Sequence, residues 1–396
     1  MNTAFAAPYD LSKETLALRR NAKWSRYAPD ILPAFVAEMD YAIAPAIQQA
    51  IERSVHEQRY GYPGGSPGSA SMAVAEAFSS RMASLFAWEP DPSNAIVVAD
   101  LVQGSFATVM AFSEPGEDVV LQVPAYPPFF DAIATTGRRL ASWHLNRQGD
   151  VFEHDFDELA DFPETAKILV LCNPHNPTGR VLRRDELEKI AAVALQRDMI
   201  VISDEIHADI VYPGHRHIPF ASLGPDIAAR TVTLNSATKS FNIPGLRCAV
   251  IHFGTRALKE RFHQRLPAKL FGACTGISMD ATVAAWTESQ DWLAGAMKHL
   301  TAARNQVMEF CRAEFPQINI VAPEGTYFGW LDCSALPFND SAYDFFFNQA
   351  KVAMSAGETF LPGAERHVRL NFATSPAILE EILGRMGHAI KGLHGR

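Results

Sequence analysis

The chain has 396 residues, 48% hydrophobic and 20% charged, with a formal net charge of −9, the profile of an ordinary globular protein long enough for about two domains and a sizeable core. The charge is dispersed and no lysine or arginine run stands out, which argues against a nucleic-acid partner. The five cysteines (Cys172, Cys248, Cys274, Cys311, Cys333) have neither metal-ligand spacing nor a disulfide framework, Met1 to Phe5 carries no basic start to an apolar leader, and no apolar run reaches the length of a membrane span. These features lead us to expect a cytoplasmic protein with no membrane partner.

Residues 1–44 form an irregular arm with Trp24, Pro29 and Pro33, ending in Phe35-Val36-Ala37-Glu38-Met39-Asp40-Tyr41. Pro45, at a position that tolerates proline, opens a predicted helix with Ile47, Ile51 and Val55 on one face. Tyr60-Gly61-Tyr62-Pro63-Gly64-Gly65 is turn-rich, and Val74, Phe78, Met82 and Leu85 predict a second helix with a core-facing stripe. After a predicted strand at Ile96 to Ala99, Gln103-Gly104-Ser105 is expected to open a helix whose free N–H groups could cradle an anion. Val119 to Val123 predicts the next strand, ending at Pro124-Ala125-Tyr126-Pro127-Pro128, and Lys167 to Cys172 another, leading into Asn173-Pro174-His175-Asn176-Pro177-Thr178-Gly179. An amphipathic helix is expected over Asp185 to Arg197. Met199 to Ser203 then reads as a wholly apolar strand of the kind buried in parallel sheets, running into Asp204-Glu205-Ile206-His207. A carboxylate there is costly to bury without a cationic partner, although Asp204 taken alone reads equally well as a helix N-cap.

Thr231 to Leu234 predicts a further strand, followed by Asn235-Ser236-Ala237-Thr238-Lys239 and then Gly245-Leu246-Arg247. An amine at that sheet edge, near an arginine able to hold an anion, can form a Schiff base. The alternation of strands and helices predicts an α/β fold with a doubly wound, mostly parallel sheet over residues 45–290, carrying ligand residues at the carboxyl ends of its strands. Tyr126, Asn176, Asp204 and Lys239 all come just after such strands. From about Asp291 the pattern changes to long helix and short strands, which predicts a smaller α+β unit over 291–396 that includes His367-Val368-Arg369-Leu370-Asn371 and packs with the arm.

The lysine block, Asp204 and the Asn-Pro-His-Asn-Pro-Thr-Gly loop together resemble the fold-type I pyridoxal 5'-phosphate (PLP) enzymes, the aspartate aminotransferase superfamily. Ser203-Asp204-Glu205-Ile206-His207 and Lys239-Ser240-Phe241-Asn242-Ile243-Pro244 are similar to its cystathionine β-lyase (carbon–sulfur lyase) branch, and the likeness runs from about Phe35 to Thr374. The resemblance implies that Lys239 tethers PLP and acts as base, Asp204 pairs with the pyridinium nitrogen, and Tyr126 stacks on the ring. It further implies that Asn176 bonds the phenolic oxygen, that Gly104 and Ser105 with Gln103, and Ser236 with Arg247, hold the phosphate, and that Arg369 takes the substrate α-carboxylate. Tyr62 is implied to reach the site of a neighbouring subunit, which makes the expected assembly a homodimer with shared sites. His207 stands where aspartate aminotransferases carry a tyrosine, as in the lyase branch. Met354-Ser355-Ala356-Gly357 departs from the Pro-Gly common in that loop. The implied activity is β-elimination from cystathionine or another cysteine S-conjugate, a small amino-acid substrate. The same cofactor residues would serve an aminotransferase, whereas a non-catalytic regulator would need a DNA-binding module.

Overall fold

The computed structural model describes residues 8–63 and 69–393, so Met1 to Phe5, Gly64 and Gly65 lie outside it. Its centre is an eight-stranded sheet: β1 (Ala95–Val98), β2 (Asp118–Val123), β3 (Arg139–Gln148), β4 (Val151–His154), β5 (Ala166–Cys172), β6 (Ile200–Asp204), β7 (Thr231–Asn235) and β8 (Ala249–Phe253). The spatial order is β1-β8-β7-β6-β5-β2-β3-β4. From β7 to β3 all neighbours are parallel; β8, β1 and β4 join antiparallel. The fold is therefore α/β. Successive side chains of the central strands enter two different cores: Val119, Leu121, Ile168, Val170 and Ile202 pack on one face, Val120, Leu169, Leu171 and Val201 on the other. Coverage on both faces is why these strands read as nearly continuous apolar runs. The β3–β4 hairpin, turning at Gly149 with φ +61, has no counterpart among the predicted elements because β3 is mostly half-exposed or exposed.

A second, four-stranded antiparallel sheet has the order β9-β10-β12-β11, with β9 Asn319–Ile320, β10 Phe328–Asp332, β11 Ser355–Ala356 and β12 His367–Asn371. The arm joins it: Leu32–Pro33 pairs in parallel with Val352–Ala353, and Asn371 N donates to Ala34 O at 2.9 Å. The largest core cluster unites the arm with the helices Pro45–His56, Ala70–Phe86, Gly276–Glu288, Gln290–Glu309 and Pro376–Lys391.

Two predicted helix faces need correction. In Pro45–His56, Ile47 is buried but Val55 is 49% exposed; Ala50 and Ser54 are buried instead, with Ser54 Oγ donating to Asp280 Oδ2 at 2.6 Å. In Ala70–Phe86, Val74, Phe78 and Met82 are buried while Leu85 is 42% exposed. In the first helix the buried face is rotated to Ile47, Ala50 and Ser54 and packs on Gly276–Glu288 into its last turn, whereas in the second the expected stripe is buried as far as Met82.

Candidate active site

The carboxyl ends of the parallel strands open onto a cavity of about 240 Å³ lined by Tyr126, Asn176, Asp204, His207, Ser236, Lys239 and Arg247, with Asp100, Leu101, Val102 and Ser105 at one end. The reason is topological: β5, β6 and β7 run the same way, so the segments that leave them emerge on one edge. Asp204 is the last residue of β6; Lys239 lies on the one-turn helix Ala237–Ser240 just beyond β7, capped by the Ser236 hydroxyl. The loop carrying Asn176 is clamped from behind. Gly179, at φ +74, has no room for a Cβ, which would lie 2.7 Å from Pro323 Cβ, and its carbonyl accepts from Glu324 N and Gly325 N. Buried Arg180 pairs with Glu186 at 2.7 Å and Glu324 at 2.5 Å, tying that loop to both neighbours.

Burial dominates the electrostatics. Lys239 Nζ donates to Ala37 O at 3.2 Å, and desolvation, with Arg369 nearby, lowers its pKa to about 8. Asp204 accepts from Ile206 N at 3.1 Å, but burial, reinforced by the neighbouring Glu205 charge, raises its pKa to about 7. Glu205 itself is satisfied by Ser203 Oγ, His217 Nε2 and Phe220 N. His207 is driven to about 3 by burial, with Lys239 and Arg369 adding, so its ring is neutral; its Nδ1 is buried without a partner among the described residues. Burial also raises the Tyr126 phenol.

Arg369 is reached through Asn176. Its Nη1 donates to Asn176 Oδ1 at 2.9 Å, and its Nη2 donates to Phe35 O at 2.7 Å and Ser355 Oγ at 3.1 Å, with the guanidinium 4.1 Å from the Phe328 ring and 4.8 Å from Phe360. Its Nε is buried with no partner among the described residues, and burial brings its pKa down to about 10. The arm thus forms a strap over the site, its carbonyls taken up by Arg369, Lys239, Asn371 and Tyr327.

The anion end differs from the sequence expectation. The helix begins at Leu101, and the Asp100 carboxylate takes Gln103 N, so the first-turn N–H groups left for an anion are those of Leu101 and Val102. Gln103 and Gly104 do not line the cavity: Gln103 Nε2 lies 3.4 Å from Phe271 O, and a Cβ on Gly104 would meet Ile251 Cδ1 at 3.2 Å, so this glycine serves close packing on the sheet. Ser105 does line it, although its hydroxyl donates to Leu101 O at 2.9 Å. Ser236 Oγ donates to Cys248 O at 2.6 Å, and Arg247 Nη1 donates to Asp100 Oδ2 at 2.7 Å. Asp100, three residues before Gln103, is the cap signature that places the helix start correctly. Tyr62 is fully exposed and outside the cavity of its own chain.

These residues suit PLP. Asp204 is a buried acid whose ionised form needs a cationic partner, Lys239 is a buried amine near neutrality, and helix N–H groups with a guanidinium stand at the opposite end for a phosphate.

Comparison with known proteins agrees with that chemistry. The chain is 30% identical over 390 residues to cystathionine beta-lyase PatB of Bacillus subtilis, an alignment covering 96% of this chain and 99% of that one. Its fold superposes on the crystal structure of OvoB with a TM-score of 0.88 at 37% identity, covering 93% and 96% of the two chains. It superposes on cystalysin from Treponema denticola, which contains pyridoxal 5'-phosphate, with a TM-score of 0.91 at 28% identity, covering 98% and 100%. Residues 38–386 match the aminotransferase class I and II family, and the chain belongs to it.

Proposed function

We propose that the protein is a PLP-dependent carbon–sulfur β-lyase that converts L-cystathionine or a related cysteine S-conjugate to a thiol, pyruvate and ammonia. The observation that carries this reading is the pairing, in one cavity, of a buried amine with pKa about 8 at Lys239 and a buried acid at Asp204, on a chain aligned nearly end to end with a cystathionine beta-lyase. Bound PLP supplies a cationic ring that takes up the electron pair left when the Cα–H bond breaks. Asp204 would hold the proton on the ring nitrogen of bound PLP, its buried carboxylate kept ionised by that cationic partner. Lys239 Nζ takes the Cα proton; its lowered pKa leaves a substantial neutral fraction near pH 8. Arg369 receives the substrate carboxylate in exchange for its strap contacts, oriented by Asn176 and the two flanking phenyl rings. Neutral His207 leaves the wall beside the lysine uncharged. When the Cβ–S bond breaks the thiol departs with a proton, and water converts the three-carbon remainder to pyruvate and ammonia.

In the same reading the exposed Tyr62 reaches the site of a second copy, so the working unit is a homodimer. Among the described residues no helix is long and apolar enough to cross a membrane. The test is incubation with L-cystathionine and no keto acid. Continuous stoichiometric pyruvate release supports the lyase, whereas a single half-turnover that stops with the cofactor in its amine form would establish an aminotransferase instead.

A further inference from the structure

Asp100 sits at the end of the cavity where a phosphate would be held, yet it is itself an anion. Its Oδ1 accepts from Gln103 N at 2.8 Å and its Oδ2 from Arg247 Nη1 at 2.7 Å. A carboxylate at a helix N-cap fills the role a bound phosphate fills there, because both draw on the first-turn N–H groups and the positive end of the helix dipole. Arg247 is the cation lining this end of the cavity among the described residues, and its charge is balanced by Asp100. The nearby hydroxyl of Ser236 is turned to the Cys248 carbonyl. The cradle therefore presents a phosphate dianion with helix N–H groups and no net formal charge.

We propose that Asp100 is a resident anion that competes with the cofactor phosphate for Arg247 and the helix N-terminus, holding cofactor affinity below what the same cradle would otherwise reach. The inference rests on the PLP reading above and adds a consequence to it: this enzyme depends heavily on the Lys239 link, and exchanges its cofactor more readily than the bare cradle would allow.

The test is the dissociation constant of PLP, from the absorbance of the bound cofactor, in the wild-type protein and in Asp100→Asn and Asp100→Ser, both of which keep an oxygen to cap the helix. Pyridoxal, which lacks the phosphate, is the control ligand. Removing one unit charge about 4 Å from another is worth about fivefold in water and more at lower dielectric, so both variants should bind PLP at least about fivefold more tightly, with pyridoxal unchanged. Arg247→Gln should weaken PLP and leave pyridoxal unaffected. Equal or weaker PLP binding in both Asp100 variants would overturn the proposal and make Asp100 a support for Arg247. So would an equal gain for pyridoxal, since the phosphate would then not be the group repelled. A wild-type protein that takes up neither ligand would overturn the cofactor reading and this inference together, which separates the two failures.

Discussion

Arg369→Lys tests the substrate end of the site. The guanidinium is held by Asn176 Oδ1, Phe35 O and Ser355 Oγ and lies 4.1 Å from the Phe328 ring and 4.8 Å from the Phe360 ring. A planar fork gives a carboxylate two parallel N–H bonds, and hydrogen bonds to charged groups contribute about 1.5–3 kcal/mol each. Lysine keeps the charge and one donor but loses the second bond, and its stacking on Phe328 and Phe360 is weaker by a fraction of the roughly 0.5–1 kcal/mol of an ordinary cation–π contact. The net loss is about 2–4 kcal/mol, or about 30- to 1,000-fold in kcat/KM, at 1.4 kcal/mol per factor of ten. Because the carboxylate is bound before any bond breaks, most of the loss should fall on KM. Pyruvate release against cystathionine concentration measures both constants, and cofactor absorbance with thermal unfolding verifies that the variant is folded and loaded. A kcat/KM within about threefold of wild type, in a folded and loaded variant, would refute the assignment of Arg369 to the carboxylate.

Three further outcomes are expected. Borohydride trapping of PLP on Lys239 requires the neutral amine, so the initial trapping rate of cofactor-free protein should rise with pH and level off above about 8; a rate still climbing steeply at pH 10 would mean that the amine is not shifted by burial. Lys23→Ala strands the Asp40 carboxylate, which is buried with Lys23 Nζ at 2.7 Å and Trp24 Nε1 at 2.7 Å, and should cost about 3–5 kcal/mol in denaturant titration; a loss below about 1 kcal/mol contradicts the pairing. His154, His175 and His207, held at about 3, and His252, at about 4, are buried neutral, so the unfolded chain binds protons below about 6.5 that the folded one refuses. Their contribution is whole above about 6.5 and drains toward pH 3, at about 1.4 kcal/mol per histidine per pH unit. In cofactor-free protein Asp204, raised to about 7, gains a proton on folding between about pH 7 and 3.8 and offsets one of the four. Thermal unfolding should therefore shift to lower temperature between pH 7 and pH 5.5, and a flat profile would show that these rings are not buried neutral.

The sequence by itself determined the parallel strands and the polar residues at their carboxyl ends. A strand buried on both faces is nearly all apolar, as Ile200–Ile202 is, so polar residues at or just after its end stand out, and Asp204, Asn176 and Lys239 are legible for that reason. The same local grammar contains the Asp100 cap, which the more conspicuous glycine at 104 obscures; only packing against Ile251 reveals what that glycine is for. The helix faces depart from expectation because periodicity states which residues share a side, while the side that turns inward is set by surfaces elsewhere in the chain, so that Ser54 is buried in place of Val55 and Leu85 is left exposed. The site's electrostatics were decided by tertiary structure alone. Lys239 meets the carbonyl of Ala37 across 202 positions, and Arg369 meets Asn176 across 193. Desolvation, the largest cause of the shifts at Lys239, Asp204 and His207, depends on the summed proximity of atoms from the arm and both sheets, a quantity no short stretch of residues contains.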